Sequence, residues 1–288
     1  MSGQPVTSEL RQWIVDQALA GCEPAAVLKA MLASGWRSDV AQDALQQTLG
    51  APTVDPSGAL LEGMTVAARA QALPEPLPDV VSATLWAGDR HVQVLAALRH
   101  PRIVVFGGLL SDGECDELIA LARPALARSE TVQLDTGASE VNEARTSQGM
   151  FFDRGQYAVC ARVEARMAAL LHWPLENGEG LQVLRYGPGA EYRPHFDYFD
   201  PEQSGTPLIL QRGGQRVASL VCYLNNVARG GATVFPDLPL EVAPIKGNAV
   251  FFSYDRPHPS TRTLHGGALV LEGEKWVATK WLRQGRFD

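Results

Sequence analysis

His195 and Asp197 stand two positions apart, His265 lies far downstream, and Lys275 follows His265 by ten positions. On an extended strand, side chains at i and i+2 leave from the same face. The imidazole and the carboxylate can therefore aim at one atom, and a histidine from a distant strand can complete a three-pointed cap on a single metal ion. Two histidines and one carboxylate cover one face of an octahedron and leave the other positions open, which suits non-haem Fe(II) with a co-substrate and dioxygen. A bare His-x-Asp is common by chance, so its surroundings carry the weight. Before the pair, Tyr186-Gly187-Pro188-Gly189 reads as a sharp turn between two strands. After His265, the run Lys275 to Trp281 alternates so that Lys275, Val277, Thr279 and Trp281 share one face. A lysine facing a barrel interior costs free energy unless an anion meets it. A bound carboxylate meets that requirement.

The other histidines are rivals for the third position. His258, between Pro257 and Pro259 in a loop-like stretch, could replace His265. His265 is favoured because it opens a strand, has Gly266-Gly267 beside it for close backbone approach and keeps register with Lys275. His172 ends a helical pattern and reads as a C-terminal cap. His91 and His100 carry no spacing signal.

Several strings resemble the prolyl 4-hydroxylase branch of the 2-oxoglutarate-dependent Fe(II) dioxygenases, in the same order. They are Tyr186 through Phe199, Gly230-Gly231-Ala232-Thr233-Val234-Phe235-Pro236, and His265 through Lys275 and Trp276. Arg145 to Phe151 and Arg216 to Leu220, leading into Tyr223-Leu224-Asn225, are similar to that branch as well. The resemblance spans roughly the last two-thirds of the chain, too many ordered segments for coincidence. It implies His195, Asp197 and His265 as Fe(II) ligands and Lys275 as partner of the distal carboxylate of 2-oxoglutarate, with the Tyr186 hydroxyl assisting. It puts Arg145 and Trp281 on the substrate side, although a surface ion pair and a core aromatic would explain those two alone. The implied activity is O2-dependent hydroxylation of peptidyl proline, releasing succinate and CO2, with ascorbate as a further cofactor. A free amino acid or another side chain is the alternative substrate, and a non-catalytic binding or sensing module ranks below both. Arg193 before Pro194 and the long loop from Asp200 to Gly214 depart from the usual pattern at the substrate entrance.

The frame that must position these residues is legible in composition. With 288 residues, 45% hydrophobic and 20% charged, the chain can build one sizeable core and a small accessory unit. A net charge of -7 without a long basic run argues against nucleic acid and against a polybasic membrane anchor. No apolar run is long enough for a bilayer, and Met1 to Pro5 lacks the pattern of a secretory signal, so a cytoplasmic protein is expected. Cys22, Cys115, Cys160 and Cys222 are scattered, predicting buried free thiols rather than a zinc site or disulfides.

Residues 1–49 show three short amphipathic helices, with breaks at Gly21 and Gly35. Met31 to Trp36 resembles the junction of ubiquitin-associated three-helix folds, which implies a protein partner; a cap on the catalytic domain is the plainer reading. Residues 50–81 read as a proline-punctuated linker holding one helix over Leu60 to Leu73. Residues 82–288 form the expected dioxygenase domain. It opens with strands at Val92–Leu95 and Ile103–Phe106, then a helix over Cys115–Leu126 whose capping box is Ser111 to Glu114, and a second helix over Tyr157–Leu171. Eight short strands follow between Leu181 and Leu282, including Tyr192–Tyr198 and Gly266–Leu271. The predicted class is mainly β with helices (α+β): a double-stranded β-helix, or cupin-like jelly roll, plus a small N-terminal all-α unit.

Overall fold

The computed structural model describes residues 6–19, 22, 24–49, 73–77, 82–128, 130–132, 139–141 and 146–288. Arg145 and the helix expected over Leu60 to Leu73, except Leu73 itself, lie outside the described residues. The chain divides into two compact units, residues 1–72 and 73–288.

In the first unit, helices α1 (Ser8–Leu19), α2 (Pro24–Ala33) and α3 (Ser38–Leu49) bury Ile14, Val27, Leu28, Met31, Ala41, Ala44 and Leu45 together. The three- and four-residue spacing of these positions puts them on single helix faces. Pro24 starts α2, where a missing N–H costs nothing. Gly35 follows α2 at φ +86°, the left-handed geometry that ends helices.

The second unit is built on strands. They are β1 (Thr84–Trp86), β2 (His91–Leu98), β3 (Arg102–Gly107), β4 (Ala127–Arg128), β5 (Glu130–Val132), β6 (Ser139–Val141), β7 (Gln148–Phe152), β8 (Leu181–Tyr186) and β9 (Tyr192–His195). Then come β10 (Arg216–Tyr223), β11 (Arg229–Gly230), β12 (Thr233–Phe235), β13 (Leu240–Val242), β14 (Ala249–Ser253), β15 (His265–Gly267), β16 (Val270–Glu272) and β17 (Lys275–Arg283). Nine of them form one sheet, in the order β1-β2-β3-β14-β10-β17-β8-β7-β4. A four-stranded sheet, β13-β12-β15-β9, carries both histidines of the candidate site. All pairings are antiparallel, and the two sheets make the expected jelly roll.

Both faces of the large sheet are covered. Val183, Leu220, Phe251, Trp276 and Ala278 on its outer face join α4 (Asp112–Ala122) and α5 (Ala158–Leu171) in one core, through Leu118, Val163 and Met167. Leu184, Tyr223, Val250, Phe252 and Val277 on its inner face join Phe235 and Val242 of the small sheet in a second core. All nine residues of β17 are buried as a result.

The predicted capping box forms, and helix α4 begins at Asp112, three residues before the expected Cys115. The Ser111 hydroxyl accepts from the Glu114 N–H at 3.2 Å, and the Glu114 carboxylate accepts from the Ser111 N–H at 2.9 Å. Glu114 also receives the buried Arg166 guanidinium at 2.8 Å, tying α4 to α5. Ser111→Ala should lower unfolding free energy by about 1 kcal/mol, the usual cost of losing an N-cap side chain. Urea titration would register it as an earlier midpoint at unchanged slope, and an unmoved midpoint would mean that the cap contributes nothing.

Several boundaries differ from expectation for local reasons. Helix α4 stops at Ala122 rather than Leu126 because Pro124 lacks an N–H; a 3-10 turn over Arg123–Ala125 replaces the last turn. The strand expected over Tyr192–Tyr198 stops at His195. Its partner β15 begins at His265, directly opposite His195, so no ladder continues and Asp197 falls in the bend beyond. The strand expected over Gly266–Leu271 splits into β15 and β16, which pair with different strands. The loop from Asp200 to Gly214 contains a short helix, α6 (Thr206–Leu210). Cys115, Cys160 and Cys222 are buried free thiols, but Cys22 is exposed.

Candidate active site

One pocket between the two sheets is lined from the small sheet by His195, Thr233 and His265 and from the large sheet by Tyr186, Lys275 and Trp281. In it, ligand atoms of His195, Asp197 and His265 all lie within 4.8 Å of one another. His195 Nε2 is 3.5 Å from Asp197 Oδ1, and His265 Nε2 is 3.4 Å from Asp197 Oδ2. The two histidines meet because they are a register pair of β9 and β15. A Cβ on Gly266 would come within 2.8 Å of the Tyr192 carbonyl oxygen, so glycine is what allows these strands to approach so closely.

Backbone carbonyls fix the imidazole tautomers. His195 Nδ1 donates to the Arg193 carbonyl at 2.9 Å and His265 Nδ1 to the Thr263 carbonyl at 3.0 Å. A carbonyl only accepts, so each Nδ1 carries the proton and each Nε2 offers a lone pair to the cluster. Burial pushes the His265 pKa down to about 4, helped by His195 and Lys275 against the pull of Asp197. It is neutral at pH 7 and ready to ligate. Burial alone would raise Asp197, yet the two imidazoles and Arg216 outweigh it and hold the carboxyl well below the ordinary carboxylate range. Tyr192 stacks on His195 at 3.7 Å, and Phe252 packs 4.4 Å from the His265 ring.

Lys275 begins β17 directly opposite Tyr186 of β8. It is buried, and burial pushes its pKa down to about 8. Among the described residues it makes no ion pair or hydrogen bond; its ammonium lies 5.6 and 5.9 Å from the rings of Tyr186 and Tyr223 and beside Gly267. Trp281 shares this face and lines the pocket, and its buried Nε1 has no hydrogen-bond partner among the described residues. His258 is engaged elsewhere, with its Nδ1 at 2.9 Å from the Ser260 hydroxyl, and is not part of the ligand cluster.

Four residues around this pocket had no role assigned from sequence. The Arg216 guanidinium lies 3.9 Å over the Trp281 ring and is held by Glu179 at 2.7 and 2.9 Å. Ser219 donates to Asp197 Oδ2 at 2.5 Å, and the Tyr254 hydroxyl is 3.1 Å from Ser219 Oγ. Tyr198, just past Asp197, stands edge-on to Tyr254 at 6.0 Å rather than lining the pocket. Tyr192 lines the pocket on that side. Alternation along β10 could have flagged Ser219, which shares a phase with Val221 and Tyr223; the ion pair between Arg216 and Glu179 left no local signal.

Residues 181–283 match the family model of the 2OG-Fe(II) oxygenase superfamily. The chain is 41% identical to prolyl 4-hydroxylase 2 of Arabidopsis thaliana over 211 residues, covering 65% of this chain and 69% of the plant protein. The chain belongs to the prolyl 4-hydroxylase family. Prolyl 4-hydroxylase 1 of the same plant is 40% identical over 224 residues, covering 69% of this chain and 77% of the relative. A viral collagen prolyl hydroxylase from Paramecium Bursaria Chlorella virus-1, solved with 2OG, is 30% identical, with a TM-score of 0.48 over 63% of this chain and 95% of the viral chain. The site fits what the superfamily's name requires. Two imidazoles and an ionised carboxylate on one side of a pocket make a donor set for Fe(II) with positions to spare, and a buried ammonium with no counter-ion among the described residues fits one end of a dicarboxylate. The protein is an Fe(II)- and 2-oxoglutarate-dependent dioxygenase.

Proposed function

We propose that this enzyme hydroxylates proline within peptides or proteins, with His195, Asp197 and His265 as iron ligands and Lys275 as the anchor of 2-oxoglutarate. The observation that carries the reading is the buried Lys275 ammonium, without a counter-ion among the described residues, in the same pocket as two inward Nε2 lone pairs. When bound, Fe(II) and 2-oxoglutarate would activate O2, one atom of which enters the substrate and the other succinate, with CO2 released.

The chain's own residues bind, orient and exclude water. Lys275 holds the distal carboxylate by a charge-assisted contact, and Tyr186 opposite adds its hydroxyl. The carbonyls of Arg193 and Thr263 keep both ligand imidazoles aimed inward. The rings of Tyr192 and Trp281 line the pocket, and Phe252 packs behind His265. Trp281, braced by Arg216, offers a flat wall on which the pyrrolidine of an extended peptide can lie. Arg145 is kept as a substrate-side residue on the family resemblance alone. Ascorbate as a reductant and a cytoplasmic location complete the reading; among the described residues no helix is long and apolar enough to cross a membrane.

Proline peptides should gain the mass of one oxygen while succinate accumulates in equal amount. If a free amino acid stimulates succinate release and proline peptides do not, the peptidyl reading fails. We assign the three helices of residues 1–49 to recruitment of a protein partner, with residues 50–81 as tether. Deleting residues 1–49 should then leave turnover of short peptides intact while slowing that of whole protein substrates, and equal slowing of both would favour the cap.

A further inference from the structure

Asp197 lies beyond the end of β9, where no backbone ladder fixes its side chain. Hydrogen bonds to its oxygens must do so instead. Ser219 sits on the inner face of β10, opposite Trp281 on one neighbouring strand and Phe252 on the other, and is fully buried. A serine hydroxyl has one hydrogen, and at 2.5 Å from Asp197 Oδ2 that hydrogen goes to the carboxylate, which can only accept. Ser219 Oγ is then an acceptor toward the Tyr254 hydroxyl 3.1 Å away. The chain of donation runs one way, from Tyr254 through Ser219 to Asp197, and each bond polarises the next.

We infer that Tyr254, working through Ser219, positions the Asp197 carboxylate within the metal centre. The inference rests on the reading of His195, Asp197 and His265 as iron ligands. With Oδ2 engaged by Ser219, Oδ1 keeps its lone pairs for the metal, and ligation through one oxygen leaves open the positions that the co-substrate and O2 require. Tyr254 follows directly after β14 and is buried among Phe252 and Tyr198, ring contacts that phenylalanine would make equally well. Its hydroxyl serves Ser219. Burial, together with the Asp197 and Glu179 carboxylates, raises its pKa well above that of an ordinary phenol, so it remains a donor across the working pH range.

Anaerobic calorimetric titration of the full chain with Fe(II) tests this, alongside the melting temperature of each metal-free variant. Ser219→Ala should weaken Fe(II) binding by roughly ten- to a hundredfold, as loss of an outer-shell partner does, and Ser219→Thr, which keeps the hydroxyl, should restore it. Tyr254→Phe should weaken binding by about three- to tenfold, the loss of one neutral hydrogen bond. In the double variant, Tyr254→Phe should add nothing to Ser219→Ala, because its effect passes through that hydroxyl. Parent-like affinity in Tyr254→Phe, additive losses in the double variant, or a lowered melting temperature with unchanged affinity would each overturn the inference. Asp197→Ala is the control: if it still binds Fe(II) like the parent, the ligand reading itself has failed.

Discussion

The His265→Ala protein should bind Fe(II) more weakly by well over the ~100-fold that loss of an outer-shell partner costs, since one of three protein ligands is gone, and should release no succinate above background. The side chain is buried between Phe252 and Asp197, and its Nδ1 already has a carbonyl partner, so its Nε2 has no task in the fold that alanine would leave undone. The metal-free variant should therefore stay folded. Acid behaviour gives a second readout. The folded-state pKa of about 4 lies below the ordinary imidazole value, so as pH falls from about 6.5 towards 4 the unfolded chain takes up a proton that the folded chain refuses. That residue's share of stability is intact above pH 6.5 and declines through this window in the parent; in His265→Ala its contribution to the slope disappears. Parent-like Fe(II) affinity in the variant would remove His265 from the centre and return His258 to contention.

Lys275→Ala should spare Fe(II) binding and raise the 2-oxoglutarate requirement. A charge-assisted contact is worth about 1.5–3 kcal/mol, which is roughly ten- to a hundredfold in affinity. The parent should also lose affinity as pH rises past about 8, because the ammonium that meets the carboxylate gives up its proton there. Bound dicarboxylate favours the charged form, so binding above that pH must draw a proton from solvent, and affinity falls with each further step. Lys275→Ala should be flat across the same range. Equal 2-oxoglutarate affinity in variant and parent, or an alkaline decline that survives the substitution, would remove Lys275 from the anion site.

The His195–Asp197 pair, the inward phase of Lys275 and the jelly roll were legible because each is written locally: a two-residue spacing, a seven-residue alternation, short strands between turns. Ser111 and Glu114 were legible for the same reason. What escaped depends on register between distant strands. Ser219 reaches Asp197 because β10 and β17 pair with Ser219 opposite Trp281, and Arg216 braces Trp281 only because Glu179 comes up from before β8. Alternation along β10 gives Ser219 its inward phase, but no short-range pattern encodes either contact. The strand expected to run on to Tyr198 ends at His195, because its partner begins opposite that residue.

The two-sided burial of β17 bears on how this scaffold can change. Its inner face carries Lys275, Val277, Thr279 and Trp281, while its outer face sets Trp276, Ala278 and Leu282 into the helix-backed core and lends Lys280 to Glu164 of α5. No position on the strand is free to drift: a change made to reshape the pocket is felt at once by the layer behind, and the reverse holds. New specificities, whether selected in nature or in a library, should therefore arise from the segment between Asp200 and Gly214, where Leu208 is already 63% exposed, while the strand beneath stays nearly invariant.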